Sequence, residues 1–220
     1  MEKELCTITG KLTDVPEGSC VNIRHPLGAS DIVRTVSSEG VPDGARLKSE
    51  TFELYPGIEL SFHCYLADHF HIHHCHGISV LSIDHCRAGR IGWEMKGGLS
   101  LYFGNGDLSF HYTDKCSDSE ITLPLGYYEG LSVALDLPVL QESLPELLSD
   151  VRDLCLKFRG ERETAALPAS SRIEHIFSEV YDLPEQMKLP YLKLKCQELL
   201  MFLNMAEPAR ENVLDPHYSE

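Results

Sequence analysis

From Tyr55 to Leu137 apolar and polar positions alternate in short runs broken by turn residues, and from Leu144 to Met205 the repeat lengthens to that of helices. Gly57-Ile58-Glu59-Leu60-Ser61-Phe62-His63-Cys64 and, more loosely, Ile78-Ser79-Val80-Leu81-Ser82-Ile83 have the period of two expected of half-buried strands. Arg90 to Met95, a Lys96-Gly97-Gly98 turn and Leu99 to Phe103 read as a hairpin, after which Gly104-Asn105-Gly106-Asp107 turns into Leu108 to Tyr112. A last strand from Gly130 places Leu131, Val133, Leu135 and Leu137 on one face. Short strands at this spacing predict a sandwich or small barrel of the jelly-roll kind.

The helical part divides into three. Ser143 with Glu146 predicts a capping box ahead of a Leu144, Leu147, Leu148, Val151, Leu154, Cys155, Phe158 stripe. Ser171 with Glu174 repeats the device before Ile173, Ile176, Phe177, Val180 and Tyr181. Pro190 is placed to begin a third helix, whose seam is Leu192, Cys196, Leu199 and Leu203, widened by Tyr191, Leu194, Leu200 and Phe202. So wide an apolar surface needs partners on two sides, and the seam residues are the expected interface of a symmetric homodimer. Residues 1–50 carry turn signals at Pro16-Glu17-Gly18, His25-Pro26-Leu27-Gly28 and Pro42-Asp43-Gly44, and read as a loosely structured lead-in with one or two strands or a short helix. The barrel is expected over 51–140 and the helical segment over 141–206.

Composition narrows the function classes. The formal charge of −15, with 34 acidic against 19 basic side chains, repels a phosphate backbone, so the chain should not bind nucleic acid unaided. No uncharged apolar run of membrane-spanning length occurs, and Glu2, Lys3 and Glu4 stand where a signal peptide needs a basic start and an apolar stretch, which predicts no membrane partner and a cytoplasmic chain. The eight cysteines form no CxxC pair, so reduced thiols are expected. Cys64, Cys75, Cys86 and Cys116 would make a redox switch only if two of them approached bonding distance; lone cysteines are more often small buried hydrophobes.

Several ordered motifs resemble a known family. Ile83-Asp84-His85-Cys86-Arg87-Ala88-Gly89-Arg90 and Tyr102-Phe103-Gly104-Asn105-Gly106-Asp107-Leu108-Ser109 are similar to the turns of the amino-terminal sensing half of bacterial AraC-type transcriptional regulators. Leu54-Tyr55-Pro56-Gly57-Ile58-Glu59-Leu60, Tyr128-Glu129-Gly130-Leu131 and Ser171-Arg172-Ile173-Glu174-His175-Ile176-Phe177 extend the likeness over roughly Phe52 to Ala206. The resemblance implies an α+β fold, a cupin-like (jelly-roll type) β-barrel followed by dimerising helices, and then a basic helix-turn-helix module that contacts DNA. The chain stops at Asp215-Pro216-His217-Tyr218-Ser219-Glu220, about where that module should begin, so 207–220 reads as a linker toward an absent DNA-binding domain. His85 departs from the family pattern, which has asparagine near this place.

Candidate chemistry is of two kinds. His69, His71, His73, His74 and His76 form the densest group of metal-ligand types; on an extended backbone His69, His71 and His73 share one side and His74 and His76 the other. Such a set suits zinc, copper, nickel or iron, haem iron included, and a solvated histidine-rich loop or a pH-sensitive patch are the plainer readings. For an organic effector, Glu59, Ser61, His63 and Tyr65 on one strand face, with Trp93, Tyr102, His111, Tyr127 and Tyr128, supply aromatic walls and polar handles. No phosphate loop and no GxSxG elbow is present, and no catalytic residue is assigned. The first reading is a non-catalytic sensing and dimerisation domain; a cupin metalloenzyme or a metal or haem carrier using the histidines is the alternative.

Overall fold

The computed structural model describes residues 2–72, 79–95, 99–113, 119–143 and 164–205. The chain adopts the expected α+β class, a cupin-like, jelly-roll type β-barrel with helices after it. A helix α1 (Glu2–Lys11) precedes the strands β1 (Ser19–His25), β2 (Val33–Ser37), β3 (Arg46–Tyr55), β4 (Ile58–Leu66), β5 (His69–Ile72), β6 (Val80–Met95), β7 (Leu99–Gly104), β8 (Leu108–Thr113), β9 (Ser119–Thr122) and β10 (Tyr127–Asp136). Helix α2 (Leu137–Ser143), strand β11 (Thr164–Leu167), helix α3 (Ser171–Phe177), a 3-10 turn (Val180–Asp182) and helix α4 (Glu185–Met205) complete the described elements. No helix among the described residues is long and apolar enough to cross a membrane.

The main sheet runs β11-β8-β6-β10-β4-β3-β1-β2, antiparallel except for the parallel pair β1 and β3. The smaller sheet is β7-β6-β9-β5. β6 belongs to both: Val80 to Gly89 pairs with β8 or β10, and Arg90 to Met95 pairs with β7 and β9. The stretch Ile83–Arg90, read from the sequence as a turn, is therefore extended. It carries a bulge at Arg87, where Glu129 and Gly130 face Ala88 and Cys86. Gly89, at φ 90°, then bends the strand from one sheet into the other. A Cβ at this position would run into the Tyr127 carbonyl oxygen.

The polarity of the main sheet is the organising feature. On its outer face Phe52, Leu60, Val133, Ile83 and Phe110 are register neighbours across five strands. They join one core with Ile173, Ile176, Phe177, Val180, Leu192 and Leu199 from the helices. Leu131, Val133 and Leu135 therefore face the helices rather than the barrel interior, and Leu137 opens α2 instead of ending the strand. Farther along the same face α1 packs Ile8 and Leu12 against Val21 and Tyr127. Between the sheets lies a third core of Leu47, Tyr65, Phe70, Cys86, Phe103 and Tyr128, among others.

Three expectations need correction. Residues 1–50, expected as a loose lead-in, supply a packed helix, two strands and the first half of β3; β1 was hidden because its partner β3 is parallel and 27 residues away. The N-cap of α3 is Ser170, whose Oγ accepts the Ile173 N–H at 3.3 Å, one residue before the Ser171 and Glu174 pair. α4 begins at Glu185, so Pro190 lies inside it. The stripe from Leu144 to Phe158, with Glu146, falls outside the described residues, as do 207–220.

The residues expected at a dimer seam are buried within the chain itself. Leu192, Cys196, Leu199 and Leu203 are 0–1% exposed within the single chain, turned onto the main sheet and α3. The opposite side of α4 carries Met187, Leu194, Met201 and Met205, the last three 63%, 66% and 64% exposed. Apolar positions on both faces explain why the sequence pattern could not tell inward from outward.

Candidate functional site

Behind the apolar positions that seat α3 and α4, alternation sets a polar stretch on the inner face of the main sheet. Thr51, Ser61, Ser132, Asp84 and Ser109 stand directly opposite one another across β3, β4, β10, β6 and β8. One register step away, Ser49 faces His63, and on the other side Ser82 faces His111. A packed β-sandwich would put its largest apolar residues here. This one places hydroxyls, two imidazoles and a carboxylate.

These groups form two hydrogen-bonded sets. His63 Nδ1 is 2.7 Å from the Tyr65 hydroxyl and 3.0 Å from Ser49 Oγ, while Nε2 is 2.7 Å from Ser132 Oγ. With the phenol donating to Nδ1, Nε2 carries the proton and donates to Ser132. The Thr51 and Ser61 hydroxyls pair at 2.8 Å beside it. In the second set the buried Asp84 carboxylate accepts from Ser82 at 3.2 Å and from Ser109 at 3.4 Å, with His111 Nδ1 3.1 Å from its Oδ2. That imidazole nitrogen is close but out of line, so it has no aligned hydrogen-bond partner, and neither does Trp93 Nε1. The two rings meet edge to face at 4.3 Å between centroids. Two buried nitrogens without aligned partners beside a carboxylate are what a site for a polar guest requires, because such groups cost free energy until something satisfies them.

Aromatic residues close one end. Tyr65 stacks on Tyr128 at 5.8 Å and meets Phe70 edge-on at 5.2 Å; Phe103 joins Trp93 to Tyr128. Burial pushes both tyrosine hydroxyls well above their ordinary range, with the Asp84 charge adding to it, so they act as neutral donors and acceptors.

On the outer face the same strand contacts the helices. His85, next to Asp84, stacks on Phe177 at 4.1 Å, and its Nδ1 is 2.7 Å from the Tyr181 hydroxyl. The bulged Arg87 lies 4.7 Å from the Tyr181 ring centroid and pairs with Glu129 at 3.2 Å and Asp182 at 2.8 Å. Burial holds His63 at about 4 against the opposing pull of Asp84, and burial with the Arg87 charge holds His85 at about 4. Between these values and 6.5 the unfolded chain binds protons that the folded chain refuses, so stability is full above about pH 6.5 and falls as pH drops toward 4. At pH 5 the loss is about 2 kcal/mol per histidine. The melting temperature should fall from pH 7.5 to 5, and His63→Gln should flatten that slope; a slope unchanged in the variant would show that His63 is not held neutral.

The structure thus gathers His63, Tyr65, Trp93, His111 and Tyr128 with Ser61 inside the barrel. Three other candidates lie elsewhere. Glu59 sits at the strand end, half exposed, with its carboxylate 2.6 Å from Arg24. Tyr102 points outward between the inward Leu101 and Phe103, and its hydroxyl donates to Glu94 at 3.2 Å. Tyr127 faces α1 and donates to Glu4 at 3.0 Å. Asp84, Ser49, Ser82, Ser109 and Ser132 were not anticipated; the signal available was that each holds the polar turn of an alternating strand.

Of the metal candidates, His69 and His71 lie on β5 with exposed side chains, opposite Thr122 and Glu120 of β9, while His73, His74 and His76 fall outside the described residues. Among the described residues no group of three or more His, Cys, Asp or Glu converges to hold a metal ion. Cys64 and Cys86, offered as redox partners, stand on opposite faces of the main sheet; burial pushes both thiols up, Cys64 to about 12. Cys75 and Cys116 fall outside the described residues.

No protein-family model and no curated protein matches the sequence. Solved structures similar to the chain include the AraC-like transcriptional activator CuxR, at 12% identity over 87% of this chain, with a TM-score of 0.49. Apo ToxT K231A from Vibrio cholerae is 8% identical over 70% of this chain, with a TM-score of 0.46. The EutQ protein of Clostridium difficile is 16% identical over 46% of this chain and 69% of its own length, with a TM-score of 0.34. The chain spans 64% of the length of CuxR and 58% of that of ToxT.

Proposed function

We propose that the chain is the effector-sensing and dimerising part of an AraC-type transcriptional regulator and is not an enzyme. The observation that carries this reading is the inverted polarity of the main sheet: a polar, aromatic-walled interior on one face, and the helices on the other face of the same strands. Asp84 inside and His85 outside are consecutive residues of β6, so a guest that draws on Asp84 acts on the backbone that holds Phe177 and Tyr181. An effector that binds one arrangement of strand and helices better than another shifts the population toward it, and one with equal affinity for both shifts nothing.

The guest is a small molecule with hydroxyl or amide groups, matched to the donors of Trp93 and the serines and the acceptor of Asp84. A second copy of the chain covers the outer side of α4, where Met187, Leu194 and Met201 recur every seven residues. DNA contact belongs to a separate basic domain, because a chain with charge −15 is poorly suited to it. A thermal-shift screen of small polar metabolites tests the reading. A compound that raises the melting temperature of the chain and fails to do so with Asp84→Asn supports it; a compound that acts equally on both removes the barrel interior from the site.

A further inference from the structure

A cleft of about 510 Å³ lies where β6, the turn between β7 and β8, and α3 meet. Hydrogen bonds tie its walls together. Gly106 N–H donates to the Cys86 carbonyl at 2.8 Å, Cys86 N–H donates to that of Asp107 at 3.2 Å, and the Asp107 carboxylate accepts from Ala169 N–H at 2.9 Å. The geometry points to a binding site for a small neutral ligand with an amide edge, a carbonyl and an N–H side by side. His85 and Phe177 place the cleft on the opposite side of the main sheet from Asp84, so this holds whether or not the barrel interior takes an effector.

His85 is the first argument. It is 5% exposed, stacks on Phe177 and lines the cleft. The Tyr181 hydroxyl stands 2.7 Å from its Nδ1 and 3.4 Å from its carbonyl oxygen; the shorter contact makes Nδ1 the acceptor, so Nε2 carries the ring proton. Nε2 has no hydrogen-bond partner among the described residues, yet it is not sealed from solvent, so its N–H opens on the cleft. A donor with so little access to water gains from an acceptor on a ligand. Burial and the Arg87 charge keep the ring neutral, so it offers this one donor and no charge.

Charge is the second. The Arg87 guanidinium is already shared by Glu129 and Asp182, so the cleft holds no cation in need of an anion. Glu174 of α3 lines the cleft, and its carboxylate has no hydrogen bond or ion pair among the described residues. An anionic ligand would be repelled by it. An ammonium ion would meet it, but Glu174 is exposed, where an ion pair contributes little, and an ammonium ion leaves the imidazole N–H without an acceptor. A neutral amide answers both residues: its carbonyl accepts from His85 Nε2–H and its N–H donates to Glu174. The volume admits a simple carboxamide or the ring amide of a nucleobase.

Calorimetric titration of the full chain with nicotinamide and uracil tests the site and separates the carboxamide from the ring amide. At least one should bind one to one. Its fully N-methylated form, which keeps the carbonyl and lacks the N–H, should bind at least about tenfold more weakly, and so should nicotinate, which is an anion. His85→Phe keeps a ring against Phe177 and removes the donor, and Glu174→Ala removes the acceptor from an exposed position on another element; each should weaken the amide about tenfold. No heat from either amide up to its solubility, a methylated form or nicotinate binding as tightly as the amide, or an affinity unchanged in either variant when folded would each overturn the proposal.

Discussion

Gly89→Ala is expected to cost on the order of 3–5 kcal/mol, a large fraction of the 5–15 kcal/mol that holds a typical domain together. Two effects add. At φ 90° an alanine is strained where glycine is not, and its Cβ would run into the Tyr127 carbonyl oxygen, which belongs to the neighbouring strand and cannot rotate away as a side chain would. The strain falls on the residue that turns β6 from the main sheet into the smaller one, so Asp84 before the bend and Trp93 after it lose their mutual placement as well. Chemical denaturation read at constant slope gives the number. Gly10→Ala is the control, because nothing lies within 4 Å of a Cβ there and the exposed helical position should gain about 0.5–1 kcal/mol. A Gly89→Ala protein within 1 kcal/mol of the parent would mean that the bend is carried elsewhere.

Leu199→Ala should cost roughly 2–5 kcal/mol, the usual range for a buried leucine, because its side chain is 1% exposed in the core shared by α4, α3 and the main sheet. Leu199→Glu should leave little folded protein, since a carboxylate there would be buried without a partner. Leu194→Glu with Met201→Glu, on the other side of the same helix, should leave the denaturation midpoint nearly unchanged and reduce the sedimenting mass from dimer to monomer. Loss of the dimer by Leu199→Ala with stability intact would reverse the two faces, and an unaltered mass in the double variant would take α4 out of the interface.

The strand runs at 58–64, 80–83, 90–95, 99–103, 108–112 and 130–136 were legible because alternation is a local signal, and α3 and α4 because their apolar stripes are, whereas β5 and β9 were not anticipated. What the sequence could not show was which side of each strand faces inward. Leu131, Val133 and Leu135 look like the lining of a barrel, yet they form the seat of the helices, because two candidate cores compete and alternation alone does not rank them. The site was half legible for the same reason: His63 and Tyr65 were found by chemistry, whereas Asp84 was read as part of a turn. The continuity of β6 through its bulge depends on β10, some forty residues later in the chain, and no local pattern reports such a partner.

The greasy outer face of the main sheet has a bearing on how such a chain can evolve. Modules that recombine freely present finished surfaces to each other, but a break near residue 140 would strip the cover from Phe52, Leu60, Val133, Ile83 and Phe110 and leave a barrel that sticks to its neighbours. Barrel and helices therefore hold together as one unit. Variation in the chemistry of the interior is left to exchange of single inward side chains, a change of vocabulary within a fixed grammar.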